Sequence, residues 1–355
     1  GREGAQGRTS SLQLGGILAG RYRILEHLGD GAMGSVYLGE HLRIGRKDAI
    51  KVLRDSLSSD TEAMARFVRG ARSVSRIRHE NVCTIYDFSD TPEGVQFLAM
   101  EYIPGITLKD LLAREGTLPL ERVVSITVQA AGALQAAHDA GIVHRDLKPA
   151  NIMLMPARDG ADIVKVVDFD IAKAEDDGGE TEVTRFGFVV GTPEYMSPEQ
   201  LTGEALDGRS DVYSLALVVY RMLTGLLPFA VENTREMLIG RLTRTPLTLE
   251  QVLPGRSFPR ALQQVLDWAL QRNARDRAPS TAAFAQALID TVGSRVPGQP
   301  SSVPIAPARS QQPSIDPARL EIPPTRIIDA SPATGFERSP RTRWRAQDHK
   351  LLLGS

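Results

Sequence analysis

His144-Arg145-Asp146-Leu147-Lys148-Pro149-Ala150-Asn151 is followed, a short hairpin's length downstream, by Val167-Asp168-Phe169-Asp170. The first stretch sets an acid five residues before an amide, and the second ends an apolar, strand-like run on another acid. Brought into one cleft, Asp146 supplies a base, while Asn151 and Asp168 supply the oxygen ligands that a small hard cation prefers. Upstream, Gly29-Asp30-Gly31-Ala32-Met33-Gly34-Ser35-Val36 lies between two runs of strand character. Backbone free of side chains approaches phosphates closely and turns its N–H groups toward them. Alone, such a stretch is weak, because glycines are common in turns. Its place between strands, and not at the start of a helix, separates it from a dinucleotide-binding turn.

Composition narrows the function classes. The chain has 355 residues, 42% of them hydrophobic, enough for a packed core and long enough for two or three units of ordinary domain size. A formal charge of −1 gives no bulk reason to expect nucleic acid or an anionic membrane as partner. The single cysteine, Cys83, excludes an internal disulfide and a cysteine-based zinc site, and it reads as a small core residue. No window reaches the roughly 18 apolar residues that span a bilayer. The best run, Ser214 to Tyr220, ends against Arg221. The chain is therefore expected to be soluble and cytoplasmic. It lacks an initiator methionine and a signal segment, the pattern of a processed or excised polypeptide. Only seven of its 42 basic residues are lysines, which suggests GC-rich coding DNA and, loosely, a bacterium.

Along the chain, residues 1–20 read as a flexible Gly/Ser-rich leader. Five β-like runs follow, at 21–29, 34–42, 48–53, 83–89 and 95–103. Between the third and fourth, residues 60–78 have helical spacing, with Met64, Phe67, Ala71 and Val74 on one face. After Gly105 the pattern is mostly helical, at 108–114, 120–140, 211–223, 260–271 and 280–292. Ten of the 22 prolines fall between Pro297 and Pro340, so 293–355 reads as a disordered tail ending in a basic stretch.

Taken in order, these motifs resemble a protein kinase from about Tyr22 to Ile289, and the pattern is most similar to the bacterial eukaryotic-type (Hanks-type) serine/threonine kinases. Gly191-Thr192-Pro193-Glu194-Tyr195-Met196-Ser197-Pro198-Glu199, like the end of an activation segment, and Lys148 within the catalytic run point the same way. The resemblance implies an α+β, two-lobed fold, with residues 21–292 as the kinase domain. A small antiparallel sheet lobe would cover 21–102 and a larger, mainly helical lobe 103–292. ATP and Mg²⁺, or Mn²⁺, would be the cofactors and Ser/Thr-bearing proteins the partners, with no nucleic acid and with self-association for trans-autophosphorylation.

Residue by residue, the resemblance makes Asp146 the base, Lys148 the neutraliser of the γ-phosphate, and Lys51 the partner of the α- and β-phosphates. Asn151 and Asp168 would hold the metal. The nucleotide would meet Gly29, Asp30, Gly31, Ala32, Met33, Gly34, Val36, Ala49, Lys51, Glu101, Ile103 and Leu154. Met100 would stand as gatekeeper before the Glu101-Tyr102-Ile103 hinge, and His144 and Phe169 would pack in a spine with Val74 and Ile85. Glu199 would pair with Arg277, Asp211 would anchor the catalytic loop, and Thr181 and Thr184 are the expected phosphorylation sites.

Two positions depart from the family pattern. The helix glutamate that orients Lys51 is replaced by Gly70, and the glycine after Asp168-Phe169 is Asp170. One lost charged hydrogen bond of about 1.5–3 kcal/mol slows transfer by roughly 10–150-fold, which cripples activity without abolishing it. The alternative reading is a pseudokinase, a nucleotide-binding or scaffold module that acts through partners.

Overall fold

The computed structural model describes residues 12–31, 33–54, 60–158, 160–169, 193–229 and 234–293. Ala32, Asp170, Thr181, Thr184, residues 1–11 of the leader and the tail after Gly293 lie outside the described residues.

Alternating apolar residues bounded by glycines build an antiparallel sheet from β1 (Ile17–Leu18), β2 (Tyr22–Gly31), β3 (Gly34–His41), β4 (Lys47–Leu53), β5 (Ile85–Asp90) and β6 (Gln96–Glu101), in the order β1-β2-β3-β4-β6-β5. One face buries Tyr22, Ile24, Tyr37, Ile50, Val52, Phe97 and Ala99. The sheet has six strands where the sequence reading gives five, and the extra strand falls within the stretch read as a flexible leader. Ile17 and Leu18 pair with Arg23 and Tyr22. Leu18 is buried in the sheet core, a gain of about 1.5–3 kcal/mol for a side chain of its size. That gain orders a Gly-rich stretch whose composition alone suggests none.

Helix α1 (Thr61–Val74) starts where Asp60 Oδ1 accepts from the backbone N–H groups of Glu62 and Ala63 at 3.0 and 2.9 Å. It buries Met64, Phe67, Gly70, Ala71 and Val74. The chain then crosses at Tyr102–Gly105 into a second, three-stranded sheet of β7 (Ile106–Thr107), β8 (Ile152–Pro156) and β9 (Asp162–Val166).

Against that sheet pack α2 (Leu108–Glu115) and α3 (Leu120–Asp139), and the remaining helices α4 (Pro198–Thr202), α5 (Gly208–Thr224), α6 (Thr234–Thr243), α7 (Leu249–Val252), α8 (Arg260–Ala269) and α9 (Thr281–Gly293) follow along the chain. The apolar run at 214–220 is the middle of α5, buried on every side as a core helix. Among the described residues no helix is long and apolar enough to cross a membrane. Helices α4, α6 and α7 are absent from the sequence reading. Two of them are too short to show a period, and α6 inverts the usual pattern, with Ile239 exposed and Arg241 buried.

Candidate active site

Hairpin β2–β3 brings the glycine-rich stretch over the cleft, paired from Tyr22↔His41 down to Gly31↔Gly34. Gly34 is required by close approach, since a Cβ there would stand 1.8 Å from the Val52 carbonyl oxygen. Asp30 Oδ1 accepts from Ser35 Oγ at 2.6 Å and lies 3.2 Å from His27 Nε2. The Ser35 hydrogen bond, then that of His27, holds the Asp30 carboxyl below the usual range. Met33 packs against the main core below.

On β4, Lys51 Nζ donates to Asp168 Oδ1 at 2.7 Å; the lysine side chain is 11% exposed and the aspartate 42%. Gly70 is buried in α1. The lysine thus finds its carboxylate on the segment after β9 and not on the helix. Behind the hinge, Glu101 pairs with Lys165 of β9 at 2.8 Å and accepts from the Thr84 N–H at 3.2 Å. Among the described residues the Ile103 N–H has no hydrogen-bond partner, which leaves a donor at the edge of the cleft. Ala49 and Leu154 are buried, and Ala49 faces Met100 across the sheet.

The catalytic run is held from α5. Asp211, 1% exposed, accepts from the backbone N–H groups of His144 and Arg145 at 2.8 and 3.1 Å, with His138 Nε2 2.6 Å away. Arg145 there takes a left-handed backbone, φ 64°. His144 Nδ1 accepts from the Asp146 N–H at 3.3 Å while Nε2 reaches the Val167 carbonyl at 3.0 Å, so Nε2 carries the proton. Its ring lies 4.6 Å from that of Phe169. Phe169 and Val74 share one apolar core, with Ile85 packed against it.

Asp146 Oδ2 accepts from Lys148 Nζ at 2.8 Å and from Asn151 Nδ2 at 3.2 Å. Asn151 Nδ2 also donates to the Asp146 carbonyl at 2.8 Å, which orients the amide so that its oxygen remains to accept. Asp168 (φ 54°) uses only Oδ1 toward Lys51. The remaining oxygens of Asn151 and Asp168 make a two-ligand, all-oxygen set. A magnesium ion that keeps waters and phosphate oxygens in its other positions suits such a set. Among the described residues no cluster of three or more His, Cys, Asp or Glu forms an all-protein metal cage.

Beyond the cleft, Glu199 and Arg277 form a bidentate pair at 2.6 and 2.7 Å, and Ser210 Oγ donates to Glu199 at 2.7 Å. Burial alone would raise the Glu199 carboxyl, but the Arg277 contacts hold it below the ordinary range. Gln200 Nε2 donates to the Arg145 carbonyl at 2.6 Å, tying α4 to the catalytic run. The structure therefore brings Lys51, Asp146, Lys148, Asn151 and Asp168 to one cleft. The sequence reading missed Lys165 behind the hinge and the buried Arg241, since neither stands in a motif.

A family model described as protein kinase domain matches residues 22–289. Serine/threonine-protein kinase pkn3 of Myxococcus xanthus is 42% identical over 273 residues, 76% of this chain and 50% of that protein. Pkn1 of the same organism is 44% identical over 274 residues, 77% of this chain and 38% of that protein. The match thus spans half or less of these relatives. PknA of Mycobacterium tuberculosis is 35% identical over 353 residues, 96% of this chain and 79% of that protein. The crystal structure of the M. tuberculosis PknI kinase domain matches with a TM-score of 0.63 at 31% identity, over 80% of this chain and 100% of that chain.

Proposed function

The chain belongs to the protein kinase family, and from that premise we propose that it transfers the γ-phosphoryl group of ATP to serine and threonine hydroxyls of proteins in bacterial signalling. Copies of the chain are among its acceptors, and the cytoplasm, where ATP is held, is the place of reaction. The observation that carries the reading is the set around Asp146: one carboxylate oxygen engaged by Lys148 and Asn151, the other left for an acceptor hydroxyl.

When bound, ATP with its divalent cation supplies the phosphoryl group and neutralises the charge developing on it. Asp146 orients the hydroxyl and takes its proton, a contribution of about 10²–10⁴-fold. With the nucleotide bound, Lys148 would neutralise the transferring oxygens and Lys51 would hold the α- and β-phosphates. Asn151 and Asp168 offer the metal their free oxygens. Ile103 N–H and the Glu101 carbonyl bond the adenine edge. Thr181 and Thr184 are the proposed autophosphorylation sites, modified in trans within a transient pair of molecules.

Incubation of wild-type and Asp146→Asn protein with labelled ATP, Mg²⁺ or Mn²⁺ and a generic acceptor, followed by mass spectrometry, tests the reading. Incorporation confined to wild type is expected, with Thr181 or Thr184 among the modified residues. Two folded proteins that both fail to label would instead establish a pseudokinase. Gly70, which leaves Lys51 without a helix carboxylate, is the observation that favours that second reading.

A further inference from the structure

Arg241 in α6 is 1% exposed, an unusual place for a side chain that stays charged in proteins. Among the described residues it appears in no ion pair, and none of its hydrogen-bond partners is a carboxylate. Burial lowers its guanidinium, and the opposing interactions with Tyr213, Glu194 and Tyr195 do not offset it. What it has are carbonyls. Nη1 donates to Pro193 O at 2.6 Å and to Met196 O at 2.7 Å. Nη2 reaches only Met237 Sδ at 3.9 Å, and Nε has no partner. The Phe229 ring lies 5.8 Å from the guanidinium carbon.

Both carbonyls belong to the turn 193–196, built on the single 3-10 turn Pro193–Tyr195. From α5, Ser214 Oγ donates to the Tyr195 carbonyl at 2.7 Å. Three carbonyls within four residues are thus fixed by buried side chains of two helices. The turn leads straight into α4, whose Gln200 holds Arg145, the neighbour of Asp146. Through Gln200 the turn is therefore tied to the backbone that carries Asp146, the base an acceptor hydroxyl has to reach. A buried cation without a carboxylate is a poor way to stabilise a fold, because its desolvation is compensated only by neutral acceptors. The planar fork of arginine, however, grips two carbonyls in one geometry, which lysine or an apolar residue does not do.

We propose that Arg241 is a positioning residue for the acceptor: it fixes the turn 193–196 on which the acceptor segment rests, and so governs use of the protein substrate and not use of ATP. The inference rests on the kinase reading above. In Arg241→Met, kcat/KM for an acceptor peptide should fall 10–100-fold while KM for ATP and the Mg·ATP-induced thermal shift stay within twofold of wild type. Arg241→Lys, which keeps the charge and one contact, should fall between, and it carries the test if the Met variant does not fold. In both variants, hydrogen exchange of the amides at 194–197 should speed up relative to wild type. Unchanged exchange at that turn overturns the inference even if no acceptor is ever phosphorylated. Equal losses for acceptor and ATP overturn it as well, because they mark a general structural role. Faster exchange at the turn in a protein whose wild type labels nothing would overturn the kinase reading, and the acceptor role with it, while establishing only that Arg241 holds the turn.

Discussion

Arg145 and Asp168 flank the reacting centre, and both hold a left-handed backbone that glycine adopts freely and other residues at a cost of about 1–2 kcal/mol. Arg145 is kept there by Asp211, whose two carboxylate oxygens meet two consecutive N–H groups. In Asp211→Asn one of those acceptors becomes a donor facing a donor, with loss of a charged hydrogen bond of about 1.5–3 kcal/mol. The expected result is a kcat lower by about 10–150-fold, measured by steady-state kinetics, with KM for ATP little changed because no nucleotide contact is touched. Gly34→Ala should act on the other substrate. Its Cβ would meet the Val52 carbonyl oxygen, so the hairpin must shift at a cost of about 1–3 kcal/mol, typical of overpacking. A raised KM for ATP together with a lower Tm is the expected outcome.

Among the elements, α4 and α5 show how a sequence pairing becomes a structural joint. Glu199 lies one residue into α4 and Arg277 lies beyond α8, yet they meet in a buried fork. Removing one partner leaves the other charge buried, so Arg277→Gln should lower stability at neutral pH by about 3–5 kcal/mol in denaturant titration. The Glu199 carboxyl is held below its ordinary value of 4.5 in the folded chain. Its stabilisation is therefore complete above that value and is lost as pH falls through the lower folded one. The gap between wild type and Arg277→Gln should accordingly narrow below pH 4.5. This joint was legible in the sequence because both residues stand in recognisable runs. β1 was not, because its ordering depends on burial of Leu18 against strands that a local reading does not see. Helix α6 was not, because it buries an arginine, Arg241, which a periodicity argument assigns to solvent.

For the molecule as a whole, the motif residues were legible because each is embedded in a contiguous run, and the cleft gathers them. Their partners were not legible. Lys51 and Asp168 are 117 positions apart, Lys165 and Glu101 are 64 apart, and only the folded chain decides which carboxylate each lysine meets. The second pair joins Glu101, at the end of β6, to β9, and through it the two sheets share an ionic contact. Lys165→Met leaves the Glu101 carboxylate partly buried with only the Thr84 N–H, a loss of about 1–3 kcal/mol. Since ligand binding stabilises by about 2.7 kcal/mol at a hundredfold excess over Kd, the Mg·ATP-induced rise in Tm should be smaller in this variant than in wild type at equal ligand concentration.

Cys83 sits on the inner side of that hinge, its thiol 3.8 Å from the Glu101 carbonyl. Burial, then the nearby charges of Glu101 and Asp168, push the thiol up to about 12, so at neutral pH almost none of it is the thiolate that alkylating reagents attack. Alkylation by iodoacetamide is therefore expected to be slow while Cys83 is buried and to speed up in molecules that open around residues 83–101. The chain's single cysteine makes it its own stopwatch: the rate of carboxamidomethylation counts hinge openings without an introduced label, and saturating Mg·ATP should slow the count.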